Sequence, residues 1–404
     1  MFLRHEPMGA ENSKRKDLKN IEDAEYTKFM ETFKKATGGK DKMNREQFLA
    51  TYTSVLGEFT SQFYFRLLKN EPSGLLHSKT FLKCIDNGLG HFDTLAQTLV
   101  YCFGDQKDQI MRNVVKIFCE ANKFTREDQV RLYDYFDTEN AKPVEELEHF
   151  FSTCPLFPYT AAFIFQKLID RHGESKMPVL TEKTQLMGNV DQLVLNSHLP
   201  FDRRKNWSLL YSNLKHGTSF SQLVKRINGE GPCFIVMRSM KGRRFGFFAS
   251  HGFHSGPQYR GTAESFLFQF APKISTFAAT GRTENYAYLN FQQQQLPNGL
   301  GIGGREKTWP LFIHEDFGTG ICQKNSIAFE PCFIAEEEEF KIKTIEAWRP
   351  GEKPQKTFEE QMMEISSPQK SIIDKDPQAR AVLEMAGRSL HSEAYRDPAP
   401  LLNV

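Results

Sequence analysis

The chain has 404 residues, 39% of them hydrophobic and 25% charged, a globular balance with enough chain for two or three domains. Its net charge of +2 excludes a chain-wide attraction to nucleic acid or acidic lipid, and no apolar run approaches the roughly 20 residues of a membrane-spanning helix. The 36 Phe predict a Phe-rich interior. The seven cysteines, without a Cys-x-x-Cys motif, indicate reduced thiols in a cytosolic compartment, and the N-terminus lacks a secretory pattern.

A lipidation pattern lies near the start of the chain, within a flexible tail predicted for residues 1–20. Met8–Ser13 fits the N-myristoylation consensus, with Gly9 as the lipidation candidate, and the basic residues Lys14–Lys16 and Lys19 follow it. Modification requires Gly9 at the processed N-terminus, hence initiation at Met8 or removal of the leader. One acyl chain binds membranes marginally and a basic cluster adds attraction, so the segment predicts peripheral membrane contact. A coincidental match is the alternative.

Residues 21–175 are predicted to form an all-helical domain. Apolar side chains recur there at helical spacing, as in Phe48–Leu56, and Asn44–Gln47 and Thr125–Asp128 fit capping boxes at helix starts. Two prolines precede a last apolar helix, predicted over Ala161–Arg171. The Gly, Ser and Pro residues that follow place a domain boundary at 173–185.

This helical domain resembles paired EF-hand-like units in its spacing. With an apolar residue at loop position 8, the best calcium-loop frame begins at Asp137, but Ala141 and Lys142 replace an oxygen ligand and the glycine of the sharp turn. Frames centred on Met43 and Leu76 lack an acid at position 1. The weak calcium candidates are Asp137, Glu139 and Glu148. We predict EF-hand-like helix pairs without metal, and an ordinary helical bundle is the alternative.

Beyond Asp202, short β-rich runs predict an antiparallel sandwich or barrel with helices. A short amphipathic helix is predicted at Phe220–Ile227, with a capping box at Ser219–Gln222 and Gly229 just past its end. Pro232–Arg238 and Arg243–Ser250 flank a turn signal and predict a hairpin. Further predicted strands are Ser265–Phe270, Tyr286–Phe291, Trp309–Ile313 and Phe340–Trp348.

No pattern indicates a catalytic or nucleotide-binding centre. Gly299-x-Gly301-x-x-Gly304 has the spacing of a dinucleotide fingerprint, but Pro297 precedes it where a strand is needed and Pro310 would fall inside the helix. The glycines therefore predict a tight turn between strands. His314–Asp316 is typical of a polar strand end, and neither a nucleophile elbow nor a His-Glu-x-x-His motif occurs. We expect no catalytic residue and no cofactor.

The C-terminal part combines a linker, residues 351–371, with a helix predicted at 372–396. Asp376 and Pro377 fit the start of that helix. Its apolar stripe consists of Ala379, Val382, Leu383, Ala386 and Leu390. Because the linker is long enough to reach a neighbouring subunit, we predict that the stripe binds a partner. Packing on the protein's own sandwich is the alternative.

Several segments in fixed order resemble a TLDc domain covering residues 185–350. They are Leu209–Tyr211, His216–Phe220, Phe245–Ser250, Gly261–Phe268, Gly301–Gly304 and Glu346–Trp348. The family motif falls on His216, Gly217, Ser219, Phe220, Gly261, Thr262, Glu264, Ser265, Gly303, Gly304 and Trp348. Asp316 and Gly320 also fit the family pattern, whereas Cys322–Phe329 departs from it.

The layout is similar to that of the mTOR-associated lysosomal TLDc proteins. The resemblance implies an α+β fold, with a TLDc β-sandwich flanked by helices, and no established catalytic centre. It also implies association with the peripheral sector of the vacuolar-type proton ATPase, at the cytosolic face of lysosomal or vacuolar membranes. We therefore expect a non-enzymatic regulator of pump assembly or activity. The alternatives are an oxidative-stress-protective protein with redox or small-molecule chemistry, and a calcium sensor.

Overall fold

The computed structural model describes residues 18–140, 150–152, 154–171, 177–292, 296–305, 308–324 and 326–355. The chain divides into two compact units, Met1–Lys353 and Pro354–Val404, and the second is described only at its first two residues. The predicted C-terminal helix with its whole apolar stripe, and Gly9 with its basic neighbours up to Lys16, lie outside the described residues. In the described part of the chain, no helix has both the length and the apolar composition to cross a bilayer.

The N-terminal part is helical, as the apolar spacing predicts. Its helices are α1 (Asp23–Thr37), α2 (Arg45–Leu56), α3 (Thr60–Leu67), α4 (Ser78–Gly88), α5 (Phe92–Phe103), α6 (Lys107–Ala121), α7 (Arg126–Asn140) and α8 (Leu156–Leu168). Short 3-10 turns at Gly57–Phe59 and Leu68–Asn70 follow α2 and α3.

Side chains close the helix starts where the sequence predicts it. At α2, the Gln47 N–H donates to Asn44 Oδ1 (2.9 Å) and the Asn44 N–H donates to Gln47 Oε1 (3.0 Å). At α7, the Asp128 N–H donates to Thr125 Oγ1 and the Thr125 N–H donates to Asp128 Oδ2, both at 3.1 Å. Both capping boxes are confirmed, because each pairs two backbone donors that a helix terminus leaves unsatisfied.

The predicted bounds of the last helix in this part are wrong. Helix α8 begins at Leu156 and ends at Leu168, whereas the prediction was Ala161–Arg171. Pro158 lies in the first turn of α8, where a backbone N–H has no helical acceptor, so the proline removes no hydrogen bond. Proline at this position fits a helix start.

Two short strands join the EF-hand-like helix pairs. Strands β1 (Lys42–Met43) and β2 (Leu76–His77) pair antiparallel, and Met43 lies opposite Leu76. These are the two residues placed at loop position 8 in the sequence. The loops therefore pair through their apolar positions, and the side chains of both residues are buried.

The C-terminal part of the first unit is β-rich. Its strands are β3 (Val179–Leu180), β4 (Asn206–Ser212), β5 (Cys233–Ser239), β6 (Arg244–Ala249), β7 (Phe266–Gln269), β8 (Ser275–Ala278), β9 (Ala287–Asn290), β10 (Gly299–Ile302), β11 (Leu311–His314), β12 (Thr319–Ile321) and β13 (Glu339–Pro350). Its helices are α9 (Asn189–Ser197), α10 (Asn213–His216) and α11 (Phe220–Ile227), with a 3-10 turn at Phe201–Arg203. The chain thus has the predicted α+β architecture.

The long strand β13 connects two halves of the sheet. The strand order is β8-β7-β6-β5-β13-β12-β11-β10-β9, with β4 also on β13 and β3 on β4. These pairs are antiparallel, except that β3 runs parallel to β4. Side chains from both halves, such as Ile235, Leu300 and Ile345, share one buried cluster, so the halves face each other as a sandwich.

The β5–β7 half of the sheet is buried on both faces. Ile235 and Met237 lie in the sandwich core, whereas their neighbours Phe234 and Val236 belong to a cluster shared with helices α1–α9. Because successive strand residues point to opposite faces, burial of both faces produces the continuous apolar run of β5. The helical part therefore covers the outer face of this half.

Several local predictions in the β-rich part are corrected. The β5–β6 hairpin and the bounds of α11 are confirmed, but the Ser219 hydroxyl hydrogen-bonds the Ser221 hydroxyl (2.8 Å) instead of capping the helix. Gly229 has the left-handed φ of +72° expected just past a helix end, but its N–H donates to the Phe253 carbonyl instead of to a carbonyl of α11. Residues Gly299–Ile302 form a strand where a turn was predicted, and the left-handed turn begins only at Gly303.

Candidate functional site

The motif residues between β4 and α11 stabilise one turn. The Ser212 N–H donates to His216 Nδ1 (3.1 Å), which places the imidazole proton on Nε2, and the Tyr211 hydroxyl donates to the Gly217 carbonyl. Burial, and then the positive charges of Arg226 and Lys215, lower the pKa of His216. A neutral imidazole is the form that this hydrogen bond requires, so His216 acts here as an acceptor that shapes the turn.

A second group of motif residues forms a hydrogen-bonded cluster, which we call the serine cluster: Ser250, Thr262 and Ser265. The Thr262 N–H (2.8 Å) and the Ser265 hydroxyl (3.1 Å) both donate to Ser250 Oγ, and the Ser250 N–H donates to Ser265 Oγ (3.2 Å). Gly261 precedes it at φ +111°, where a Cβ atom would lie 3.1 Å from Ser250 Oγ. The side chain of Glu264 is exposed. The motif thus joins the end of β6 to the start of β7.

The motif glycines lie beneath an aromatic ring. A Cβ atom on Gly304 would lie 2.2 Å from Trp309 Cζ3, and one on Gly303 would lie 2.7 Å from the ring of Phe329. Trp309 continues into a buried aromatic cluster, with ring centroids 5.2 Å from Tyr288 and 4.7 Å from Phe312. The next regular element is strand β11 and not a helix. The glycine spacing therefore follows from ring packing, and the geometry does not fit a dinucleotide fingerprint.

Trp348 belongs to a buried polar group around Glu346. The Glu346 carboxylate is 2% exposed and accepts hydrogen bonds from Trp348 Nε1 (2.9 Å), the Thr184 hydroxyl (2.7 Å) and the Gln185 N–H (2.8 Å). Three donors compensate for the loss of water around this carboxylate. The group holds the segment before α9 against β13.

A buried ion network fixes α9 between the helical part and the sheet. Asp191 on α9 is fully buried and pairs with Arg131 of α7 and with Arg244 of β6, the latter at 3.0 Å. Arg131 also donates to the Phe270 carbonyl (3.3 Å), and the Gly188 N–H donates to Asp191 (2.8 Å). Sequence reasoning missed this network, because its members lie 60 and 53 residues apart and carry no local signal.

Polar side chains of the EF-hand-like loops hydrogen-bond each other. In the frame with Leu76 at position 8, Glu71 is at position 3 and Thr80 at position 12, and the Thr80 hydroxyl donates to the Glu71 carboxylate. Between the two loops, the hydroxyl of Ser78, just after β2, donates to Asp41, just before β1. Positions 3 and 12 of the Leu76 loop, whose side chains would bind the ion in a calcium loop, thus hydrogen-bond each other.

The weak calcium candidates are not brought together in the described residues. Asp137 and Glu139 lie within helix α7, which continues to Asn140, and Glu148 is outside the described residues. A calcium loop needs irregular backbone to aim its oxygens at one point, and helical backbone over its first positions does not provide that. Among the described residues, no three His, Cys, Asp or Glu side chains cluster as metal ligands.

Two exposed apolar side chains flank the first half of β13. Leu214 and Met240 are 64% and 63% exposed. The Met240 N–H donates to the Lys341 carbonyl (2.9 Å), and Asn213, next to Leu214, donates through Nδ2 to the Lys343 carbonyl (3.2 Å). We call Leu214, Met240, Lys341 and Lys343 the β13 patch. Its lysines are exposed, so it offers apolar and positively charged groups to a partner.

Comparisons with known proteins agree with the motif. Residues 180–351 match the TLDc domain family. The mTOR-associated protein MEAK7 of Gallus gallus is 37% identical over 208 residues, which are 51% of this chain and 43% of that protein. MEAK7 of Homo sapiens is 37% identical over 207 residues, 51% of this chain and 44% of that protein. Nuclear receptor coactivator 7 of Homo sapiens is 30% identical over 208 residues, 51% of this chain and 20% of that protein. The alignments span less than half the length of these relatives.

Proposed function

Because residues 180–351 form a TLDc domain, we propose that this chain is a non-enzymatic regulator of the vacuolar-type proton ATPase. It binds the peripheral sector of the pump through the TLDc domain and the C-terminal helix, and modulates pump assembly or activity. The observation that carries the proposal is the TLDc match, and the serine cluster, whose hydroxyls bond to each other and hold two strands together, gives the family motif a structural role. Because the polar groups of this cluster are hydrogen-bonded to each other, the cluster supports a binding module rather than a catalytic site. The name of the MEAK7 relatives, mTOR-associated, supports protein partners.

The thiols of Cys119 and Cys332 favour regulation over a redox enzyme that would use them. Burial raises the pKa of Cys119 and of Cys332 to about 12, so both thiols are protonated at neutral pH. The nucleophile in peroxide chemistry is the thiolate. We therefore expect purified protein to show no catalytic turnover of hydrogen peroxide. Repeated turnover that is lost on cysteine substitution would favour the oxidative-stress alternative.

The docking proposal is tested by affinity purification of the full chain from cells. We expect peripheral pump subunits to co-purify, and Leu214→Asp with Met240→Asp to reduce their recovery about tenfold, as for removal of an interface anchor. Phe65→Asp with Val130→Asp is the matched control, because these residues of the helical part are 56% and 53% exposed. Recovery without any pump subunit would refute the proposal. Equal losses for both variants would refute the β13 patch.

We further propose that the protein works at the cytosolic face of lysosomal or vacuolar membranes. If translation begins at Met8, Gly9→Ala moves the protein from the membrane fraction to the cytosol. Neutralising Lys14–Lys16 and Lys19 does so partially, with greater loss at higher salt. An intact Met1 terminus in all molecules, found by mass spectrometry, would contradict the lipid anchor.

A further inference from the structure

Two cysteines meet inside the helical part of the molecule. Cys84 on α4 and Cys102 on α5 have their Sγ atoms 3.5 Å apart. Both thiols are free, and the two helices are consecutive, joined by the short connection at residues 89–91. Cys84 is 7% exposed and Cys102 is 1% exposed, so the pair is buried with Cys84 nearer to solvent.

We propose that Cys84 and Cys102 form a redox-sensitive thiol pair, which a peroxide converts into an intramolecular disulfide. This modification site goes beyond the proposed docking function and does not depend on it. It is stoichiometric, with one peroxide consumed per molecule, and so differs from enzymatic peroxide turnover.

The geometry of the pair favours this bond. A disulfide has an S–S distance of about 2.05 Å, so the two sulfurs must approach by about 1.5 Å. Burial, and then the hydrogen bond and the charge of the neighbouring Cys84, raise the pKa of the Cys102 thiol, and the positive charge of Arg66 opposes them only in part. Because Cys84 is the more exposed of the two thiols, we expect oxidation to begin there.

The reaction balances with hydrogen peroxide as the oxidant. The Cys84 thiolate attacks one peroxide oxygen, the O–O bond breaks, and hydroxide leaves and takes up a proton as water, so that Cys84 becomes a sulfenic acid. The Cys102 sulfur then attacks the Cys84 sulfur and displaces the hydroxyl group, which leaves as water with the Cys102 proton. Two thiols are oxidised to one disulfide and one peroxide is reduced to two waters.

The bond would tie α4 to α5 within the core of the EF-hand-like part. The two residues are 18 positions apart in sequence, so the crosslink closes a loop of moderate length and restricts the unfolded chain. We expect oxidation to raise the unfolding midpoint of the protein by several degrees, and a reductant to reverse the rise.

The test treats the purified full chain with hydrogen peroxide under native conditions, then alkylates the remaining thiols in denaturant. We expect mass spectrometry to find a linked Cys84–Cys102 peptide pair that lacks two hydrogen atoms, together with the raised midpoint. Cys84→Ser and, separately, Cys102→Ser should abolish both effects. Cys119→Ser is the matched control, because Cys119 is equally buried and on the neighbouring helix α6, and it should keep both effects.

Two results would overturn the proposal. One is full alkylation of Cys84 and Cys102 after peroxide treatment, with oxidation confined to the partly exposed Cys332. The other is a midpoint shift that persists in either single-serine variant. If one of the two serine variants fails to fold, the other still tests the proposal. Because the experiment uses no pump subunit, its failure would leave the docking proposal untouched.

Discussion

At some positions in the sandwich only glycine fits, because neighbouring atoms occupy the place where a Cβ atom would lie. A Cβ atom on Gly304 would overlap the ring of Trp309, and one on Gly246 would lie 1.9 Å from the Ile235 carbonyl oxygen. Interiors packed this closely cannot absorb an additional methyl group without moving a ring or a strand. The motif glycines therefore serve the packing of the domain.

Replacement of Gly304 tests this interpretation. We expect Gly304→Ala to lower the free energy of unfolding by about 1–3 kcal/mol, because the Trp309 ring must shift. Gly318→Ala is the matched control, since no atom lies within 4 Å of its Cβ position, and its effect should stay within about 0.5 kcal/mol. Denaturant unfolding measures both changes. Equal stability of the two variants would contradict the packing argument.

A pH-dependent contact joins the two ends of the helical part. Arg171 donates through Nε and Nη2 to the two carboxylate oxygens of Glu25. The Arg171 hydrogen bonds are the largest influence on the pKa of Glu25 and lower it, against the opposing effect of burial. Because the folded-state pKa lies below the unfolded value, the contact stabilises fully above the ordinary value of 4.5. That stabilisation is lost as the pH falls through the lowered value.

We expect Glu25→Gln to lower the free energy of unfolding by about 1.5 kcal/mol at neutral pH, the lower range for a hydrogen bond to a charged group. In acid, below the folded-state pKa, the parent protein has lost the same contact, and the difference should nearly vanish. Unfolding curves across the acid range measure this. The exposed Glu31→Gln is the control. A difference that does not change with pH would show that the charge is irrelevant.

At the scale of elements, the segment from Thr184 to α9 is anchored by buried carboxylates at both ends. The Glu346 carboxylate accepts hydrogen bonds from Thr184 and Gln185. The Asp191 carboxylate forms ion pairs with Arg131 and Arg244. A buried carboxylate without partners is costly, so each acid requires its partners in position. The segment thereby fixes the helical part against the β5–β7 face.

Removal of the Asp191 charge tests the anchor. Asp191→Asn leaves the two half-buried guanidinium groups facing a neutral amide, and we expect a loss of about 3 kcal/mol of unfolding free energy. Asp202→Asn is the control, because its pair with Arg203 is at the surface with the carboxylate 69% exposed. Surface pairs contribute at most about 1 kcal/mol. Limited proteolysis should also cut Asp191→Asn faster near α9. Two variants of equal stability would refute the anchor.

The sequence predicts those elements whose signals are local. The capping box at Asn44 and the β5–β6 hairpin depend on residues a few positions apart, and both are confirmed. The Asp191 network depends on pairs 60 and 53 residues apart, for which a single sequence carries no signal. Strand β10 was missed because its glycines indicate a turn, whereas an aromatic ring from a distant position requires them. Of the candidate site, the motif was predicted and the β13 patch was not, since exposure becomes known only from the fold.

At the scale of the molecule, the arrangement of layers limits where a partner can bind. One buried cluster runs from Phe29 in α1 to Trp348 in β13, so the outer face of the β5–β7 half is covered by the helical part. The inner face is filled by the sandwich core. A partner therefore meets strand ends and turns, such as the β13 patch, or the predicted C-terminal helix. The proposed docking is therefore expected at small exposed sites of this domain.

The C-terminal helix supplies the last prediction, which separates a partner-binding stripe from one packed on the protein itself. If the stripe binds a partner, Leu383→Asp with Leu390→Asp leaves the unfolding midpoint of the isolated protein unchanged and weakens the complex, chiefly through faster dissociation. If the stripe packs within the protein, the same variant loses burial worth about 1.5–3 kcal/mol per Leu, and the midpoint falls by several degrees.

The matched control for this experiment is Leu401→Asp with Leu402→Asp, which adds the same charge outside the stripe. Melting curves and affinity for the pump subunits are measured on the same preparations. We expect the stripe variant to bind more weakly than the control at equal stability, because a linker of this length allows the helix to reach a neighbouring subunit. A destabilised protein with unaltered partner affinity would instead place the helix on its own chain, and docking would then rest on the TLDc domain alone.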